Sequence, residues 1–119
     1  MTPPELVEEM LRLSGLLDEA NAGLRESARA EAEAERYYRK SRADAWQGLD
    51  GTAKEREDLV NGMTSDLRHD RDRCQGDVRA AQEAVRNIRA QLSIMQSIAG
   101  LERELAAYGR VGPELRGAA

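Results

Sequence analysis

The sequence has a helical pattern over most of its length, and its sharpest interruption lies near the middle, in AWQGLDGTAKERE (45–57). Gly48 and Gly51 can both adopt the left-handed backbone conformation that ends a helix without steric cost. Thr52 and Glu55 then have the spacing of a capping box, in which two side chains satisfy free amides at a helix start. One helix therefore ends and another begins within a few residues, which predicts an antiparallel two-helix hairpin.

The first helix of this hairpin is predicted from about residue 3 to residue 47. Thr2 and Glu5 repeat the capping-box spacing, and Pro3 occupies a first-turn position where its missing N–H costs nothing. Beyond them, large apolar residues recur in steps of four and three, the heptad spacing of a coiled coil. These predicted core residues are Leu6, Met10, Leu13, Leu17 and Leu24.

The second helix carries a similar apolar pattern, with Val60, Met63, Cys74 and Val85 among its predicted core residues. Gly100 is expected to bend or end this helix, and the C-terminal residues combine Gly and Pro with no periodicity. The chain is therefore predicted to be all-α, with a single helical domain and a flexible tail. Its parts are a domain at 1–108, helix 1 at about 3–47, a turn at 48–52, helix 2 at about 53–99, a short extension at 101–108, and the tail at 109–119.

The open end of the predicted hairpin carries more apolar side chains than two helices can bury. Folding the chain at residue 50 pairs positions whose numbers sum to about 100, so that Leu6 faces Ile94 and Met95, and Tyr38 faces Met63. Further apolar residues lie outside these core positions, and association with other copies would bury them. We therefore expect a coiled-coil-like homo-oligomeric helical bundle, at least a dimer. Its predicted interface consists of Val7, Leu11, Leu16, Ile94, Ile98, Leu101 and Leu105.

Composition excludes several classes of protein. The net charge is −4, which argues against a chain that binds nucleic acid over its whole surface. The single cysteine, Cys74, excludes an internal disulfide, and no apolar run reaches the length of a membrane span. The first residues lack the basic region and apolar run of a signal peptide. We expect a soluble, cytoplasmic protein without a membrane partner.

The residues available for catalysis are few. The chain has one histidine, His69, and one cysteine, and it contains no HExxH, CxxC, GxGxxG or P-loop pattern. Asp66 and Asp70 could join His69 at a metal, but a single histidine on a charged helix is more often solvated. Its carboxylates alternate with arginines, as they do on exposed helix faces. The sequence therefore predicts no enzyme activity, no metal site and no cofactor.

One segment, RYYRKSRADAW (36–46), stands out by its chemistry. Residues 1–35 carry nine acidic and three basic side chains, whereas this segment carries four basic side chains against one acidic and contains three of the four aromatic residues. Aromatic rings can stack on bases while arginines neutralise phosphates. The alternative is structural, with Tyr38 in the core and the cations paired with acids across the hairpin. The candidate ligand-binding residues are Arg36, Tyr37, Arg39, Lys40, Arg42, Trp46, Arg68 and His69.

The turn also carries a resemblance. WQG (46–48), between two long helices, resembles the Trp-x-Gly motif of the small secreted helical hairpins exported by type VII systems, and LDGTA (49–53) is similar to the residues after that motif in the same family. The resemblance implies a secreted hairpin. The export signal of that family, a tyrosine followed four residues later by an acid, is missing, since Gly112 has that spacing from Tyr108.

A longer resemblance covers most of the chain. YYRKSRADAW (37–46), GTAKERED (51–58) and RAQLSIMQSIAGLERE (89–104) are similar to segments of small helical proteins encoded by bacteriophages of actinobacteria. That family has no assigned activity, so the resemblance implies a phage origin and the cytoplasm of an infected bacterial cell. Short helical phage proteins commonly act by binding other molecules.

Three functional hypotheses arise from the sequence. The first is a non-enzymatic phage accessory protein that binds a phosphate-bearing ligand, either single-stranded nucleic acid or a sequestered nucleotide signal, through the segment at 36–46. The second is a protein-interaction hairpin that binds or inhibits a host or phage protein through its apolar residues. The third is a secreted hairpin of the Trp-x-Gly type.

Overall fold

The computed structural model describes residues 1–110, and these are helical almost throughout, with no strand among them. Helix α1 comprises Pro3–Gln47, α2 comprises Ala53–Met63, and α3 comprises Ser65–Arg110. Helix α1 has the range that the sequence predicts. No helix in the described part of the chain is both long and apolar enough to cross a membrane.

The second half of the chain differs from the prediction in two ways. The predicted continuous helix from about residue 53 is interrupted at Thr64, so the structure has three helices. At its other end, α3 continues through Gly100 to Arg110, because an isolated glycine weakens a helix without necessarily ending it. Of the predicted tail at 109–119, the first two residues belong to α3 and the rest lies outside the described residues.

Both predicted capping boxes are present. At the start of α1, the Glu5 amide donates to Thr2 Oγ1 at 3.3 Å and the Thr2 amide donates to Glu5 Oε2 at 3.0 Å. At the start of α2, the Glu55 amide donates to Thr52 Oγ1 at 3.2 Å, and Glu55 Oε2 accepts from the Thr52 amide at 3.4 Å. Each pair satisfies backbone donors that a helix start otherwise leaves free.

In the turn before α2, only one of the two glycines has a backbone conformation that favours glycine. Gly51 has a φ of 118°, a region that residues with a side chain rarely adopt. Gly48, which could also adopt this conformation, does not have a positive φ. Its amide instead donates to the Ala45 carbonyl at 3.3 Å, so the end of α1 tightens without a left-handed residue.

The break at Thr64 has a local chemical cause. The Thr64 hydroxyl donates to the Val60 carbonyl at 2.7 Å, and the Thr64 amide donates to the same oxygen at 3.0 Å. A threonine hydroxyl that bonds to the carbonyl four residues earlier tends to bend a helix. Because its hydroxyl is satisfied in this way, Thr64 is buried although it is polar.

The chain divides into two compact units. The central unit comprises Ala20–Ala84, and the terminal unit comprises Met1–Glu19 together with the described residues from Val85 onwards. The central unit buries four side chains, which are Tyr38, Val60, Thr64 and Cys74. The terminal unit buries Leu6, Leu13 and Val85.

Two predicted helix pairings are wrong. In the central unit, Met63 is exposed rather than packed on Tyr38, because the break after it leaves Thr64 as the buried residue. In the terminal unit, Leu6 lies with Ala99 and Ala106 around one groove, further along α3 than the predicted Ile94. The predicted pairing assumed one continuous second helix, and the break at Thr64 removes that assumption.

Candidate functional site

The basic–aromatic segment, residues 36–46, occupies the last turns of α1 in the central unit. Its two tyrosines have different environments: Tyr38 is buried, whereas Tyr37 is exposed. Adjacent positions on a helix point about 100° apart, so one ring joins the core while the other meets solvent. Of the two rings, only Tyr37 is therefore accessible to a ligand.

Arg42 is engaged in contacts within the protein. Its guanidinium forms an ion pair with Glu57 and donates a hydrogen bond to Asn61 Oδ1 at 2.7 Å. Both partners belong to α2, and the Arg42 side chain is partly buried. Breaking these two contacts would leave a partly buried charge without partners, which is costly. Arg42 therefore holds the end of α1 against α2.

Trp46 is covered by a cation from α2. The Arg56 guanidinium lies 4.7 Å from the centre of the Trp46 ring, within the range of a cation–π interaction. The same guanidinium donates to the Trp46 carbonyl at 3.1 Å. Arg56 thus caps the end of α1 and covers one face of the ring on which a base could stack.

Arg71 forms a similar contact that the sequence did not reveal. Its guanidinium lies 4.5 Å from the centre of the Tyr38 ring, and its Nε is 3.5 Å from Glu35 Oε2. A hydrogen bond from Arg71 to Asp72, aided by the charges of Asp72 and Glu35, raises the pKa of Arg71 above its ordinary value. This residue lies in RHDRDR (68–73), which reads as a solvated charged run. Arg71 lies four residues after Leu67 and three residues before Cys74. This heptad spacing was the available signal in the sequence that Arg71 faces the core.

The outer cations of the segment are paired more loosely. Arg36 is 3.8 Å from Glu33, and Arg39 donates to Glu35 at 2.7 Å, with both arginine side chains mostly exposed. Exposed pairs of this kind contribute about 0–1 kcal/mol and exchange readily with other anions. Together with Tyr37 and Lys40, Arg36 and Glu33 line a shallow groove of about 210 Å³.

The two predicted ligand residues from α3 remain separate from this groove. Arg68 and His69 are both exposed, and neither lines it. The structure thus places the eight predicted ligand residues in three settings. Arg42 and Trp46 contact residues of α2. The groove is lined by Arg36, Tyr37 and Lys40. The remaining three, Arg39, Arg68 and His69, lie on the surface outside the groove.

The predicted interface residues all belong to the terminal unit. Ile98 is half-buried, and the other six are between 36% and 68% exposed. Four of the seven line two separate grooves: Val7 borders one of about 610 Å³, together with Leu6, Met10, Ala99, Ala106 and Ala107. Ile94, Ile98 and Leu101 border another of about 290 Å³. These four residues therefore border two different grooves, and the predicted interface stays a prediction.

One ion pair lies on α1 within the terminal unit. Arg12 donates to Glu9 through both Nε and Nη2, and the Nε contact is 3.0 Å. This hydrogen bond lowers the pKa of Glu9 below its ordinary value of 4.5 and raises the pKa of Arg12. Both side chains are thus held in their charged forms at the surface of α1.

The described residues contain no group of three or more histidine, cysteine or acidic side chains that could hold a metal ion. The one cysteine, Cys74, is free and buried. The absence of enzyme activity and of a cofactor therefore stays a prediction, based on the sequence.

Comparison with known proteins found no relative of this chain. No protein family matches the chain, and no curated protein or solved structure matches it. The resemblances to phage-encoded helical proteins and to secreted Trp-x-Gly hairpins stay predictions.

Proposed function

We propose that this protein is a non-enzymatic interaction protein: a helical hairpin that assembles with copies of itself into a helical bundle. The observation that carries the proposal is the row Ile94, Ile98, Leu101 and Leu105 on α3, three of whose members are more than half exposed. Contiguous exposed aliphatic surface of this kind marks interaction sites in folded proteins. The row lies on a regular helix, which presents it as one continuous surface.

The balance between buried and exposed residues supports association. Among the described residues, six hydrophobic side chains are buried, whereas eleven large hydrophobic ones are exposed. A small helical protein with so little buried apolar surface gains stability when a second copy covers the remainder.

Contacts within each unit support the hairpin. In the central unit, the end of α1 contacts α2 through Arg42 and Trp46 and contacts α3 through Tyr38. In the terminal unit, the start of α1 lies beside the end of α3 around the groove at Leu6 and Ala106. Within each unit separately, these contacts support the proposed hairpin, because a segment before the turn at Gly51 contacts a segment after it.

The self-association is tested with a charge on the row. We expect Leu101→Glu to weaken self-association at least about tenfold. Each dimer would lose the burial of two leucine side chains and would instead bury two carboxylates without partners. Sedimentation equilibrium across a range of micromolar concentrations gives the dissociation constants.

The matched control is Leu59→Glu. Leu59 is a helical leucine of the central unit with 52% exposure, against 56% for Leu101, so the two changes are chemically equivalent. We expect Leu59→Glu to leave the dissociation constant unchanged. A wild-type protein that is monomeric throughout the range would contradict the proposal, as would equal effects of the two variants.

A second candidate function is the binding of a phosphate-bearing ligand, either single-stranded nucleic acid or a nucleotide signal. The observation in its favour is the groove at Arg36, Tyr37 and Lys40, where two cations flank an exposed aromatic ring. Stacking on tyrosine with phosphate neutralisation by nearby cations is a common mode of sequence-tolerant binding. Because Arg42 and Trp46 are engaged elsewhere, the groove is smaller than the site predicted from the sequence.

Charge reversal in this groove tests the second candidate. We expect Arg36→Glu to weaken binding of a labelled single-stranded oligonucleotide about fivefold or more, because a phosphate contact becomes a repulsion. Fluorescence anisotropy at low salt measures the affinity, and absorbance at 260 nm detects nucleotide that copurifies with the wild type.

The control here is Arg29→Glu. Arg29 lies on the same helix with 79% exposure and pairs with Glu26 at 3.9 Å, against 80% and 3.8 Å for Arg36 and Glu33. An equal loss in both variants would reveal an effect of net charge alone. Absence of binding by the wild type, with no copurified nucleotide, would exclude this candidate.

A further inference from the structure

One surface of the terminal unit is divided between an aliphatic half and a charged half. On α3, the row Ile94, Ile98, Leu101 and Leu105 is offset by about a third of a turn, at about 100° per residue, from Ala99 and Ala106, which line the groove of about 610 Å³ beside α1. On α1, Glu9, Arg12 and Leu16 lie on one flank of the buried Leu6 and Leu13, and Val7 lies on the other flank.

The large groove establishes which flanks share a side. Val7 borders that groove together with Arg103 and Ala107, which lie on the flank of α3 opposite to the row. The remaining flanks therefore face the other side together. We call this side the split face: it consists of the α3 row, with Leu16, Glu9 and Arg12 of α1 beside it.

We propose that the split face binds a second copy of the chain by two-fold symmetry, with α3 packed antiparallel against α3 and α1 against α1. This inference rests on the proposed self-association and specifies its geometry. The two-fold axis passes between Ile98 and Leu101.

The spacing of the row suits this arrangement. Its members follow one another in steps of four, three and four residues, a pattern that reads the same in both chain directions. An antiparallel copy therefore brings Ile94 against Leu105 of the second copy and Ile98 against Leu101 of the second copy. The groove of about 290 Å³ beside Ser93 and Ser97 gives room for these incoming side chains.

Charge distinguishes this arrangement from its alternative. If α3 packed on α1 of the second copy, the aliphatic row would lie over Glu9 and Arg12 and would remove their charges from water. With α3 on α3, aliphatic surface meets aliphatic surface. The charged flanks of the two α1 helices then meet each other instead.

The charged halves are also complementary across the axis. Met10 and Ala99 border the same groove, so an axis beside Ile98 passes close to Met10 on α1. Arg12 of each copy then lies near Glu9 of the second copy, on the opposite side of the axis. Opposite charges therefore meet, and antiparallel α3 helices place their dipoles in the favourable orientation.

Disulfide cross-linking tests the geometry. In a Cys74→Ala background, Ile98→Cys is made with an affinity tag and Leu101→Cys without one, and each is oxidised mildly, alone and after mixing. We expect at least about fivefold more mixed disulfide than either homodisulfide, because a disulfide needs Cα atoms within about 7 Å. Mass spectrometry under non-reducing conditions gives the three yields, and Leu11→Cys, on the other flank of α1, should cross-link with neither.

The outcomes separate this inference from the proposed function. Homodisulfides of Ile98→Cys as abundant as the mixed product would overturn the antiparallel arrangement. A protein that is dimeric by sedimentation but forms no mixed disulfide would overturn the docking on the split face and leave self-association intact. A Cys74→Ala protein that is monomeric by sedimentation would overturn both.

Discussion

Replacement of Leu13 by alanine is expected to lower the free energy of unfolding by about 3 kcal/mol. Leu13 is 0% exposed and is one of three hydrophobic side chains buried in the terminal unit. The change removes most of an aliphatic side chain and leaves a cavity that rigid helices fill only in part. With so few buried residues in the unit, no neighbouring core compensates for the loss.

Leu11→Ala is the control for this prediction. Leu11 lies one half-turn earlier on the same helix and is 68% exposed, so its truncation removes contact with water rather than a core contact. We expect it to stay within about 0.5 kcal/mol of the wild type. Urea unfolding followed by circular dichroism gives both values, at one fixed protein concentration because association contributes to stability. A Leu13 variant as stable as the Leu11 variant would show that Leu13 is not a core residue.

The buried aliphatic residues were predictable because they follow the period of the helix. Leu6, Leu13 and Val85 stand at heptad positions, and each is buried in the structure. The pattern was sufficient here because these residues lie in α1 and α3, two long helices without an internal break, and burial then follows the periodicity.

The break at Thr64 was not predictable from the same pattern. A threonine inside an apolar helix pattern counts as polar, whereas here its hydroxyl bonds to the Val60 carbonyl and allows it to be buried. Met63, the large apolar neighbour, was predicted to be buried and is exposed instead. A pattern of apolar residues cannot identify a polar residue that is buried because its hydroxyl is bonded to a carbonyl of its own helix.

The residue types of the candidate site were predictable from the sequence, but the contacts that these residues make were not. The cations and rings of residues 36–46 are evident in the sequence, but several of their partners lie on other helices. Arg42 pairs with Glu57, and Tyr38 packs beneath Arg71. Such pairs depend on how α1 aligns with α2 and α3, and that alignment depends on the turn and on the break at Thr64.

The turn itself gives the second large prediction: Gly51→Ala is expected to lower the free energy of unfolding by about 2 kcal/mol. The φ of 118° at Gly51 is strained for any residue with a side chain. A Cβ at this position would also lie 2.7 Å from Glu55 Oε2, too close for a non-bonded contact. Glu55 must then move and lose its bond to the Thr52 amide, so backbone strain and the loss of the cap add together.

Gly48→Ala is the matched control, three residues earlier in the same connection. Gly48 has no positive φ, and the nearest atom to an added Cβ is 3.9 Å away. We expect this variant to equal the wild type or to exceed its stability by up to about 1 kcal/mol, because alanine restricts the unfolded chain. Equal destabilisation by the two changes would mean that Gly51 does not hold its positive φ in solution.

A double-mutant cycle separates the two causes of the Gly51 effect. Glu55→Ala alone is expected to cost about 1 kcal/mol, because it removes the side chain that closes the capping box. If Gly51→Ala displaces Glu55, its cost in the Glu55→Ala background should fall by a similar amount, and the remainder is backbone strain. Full additivity of the two changes would show that the added methyl group never meets Glu55, and that strain alone requires glycine at this position.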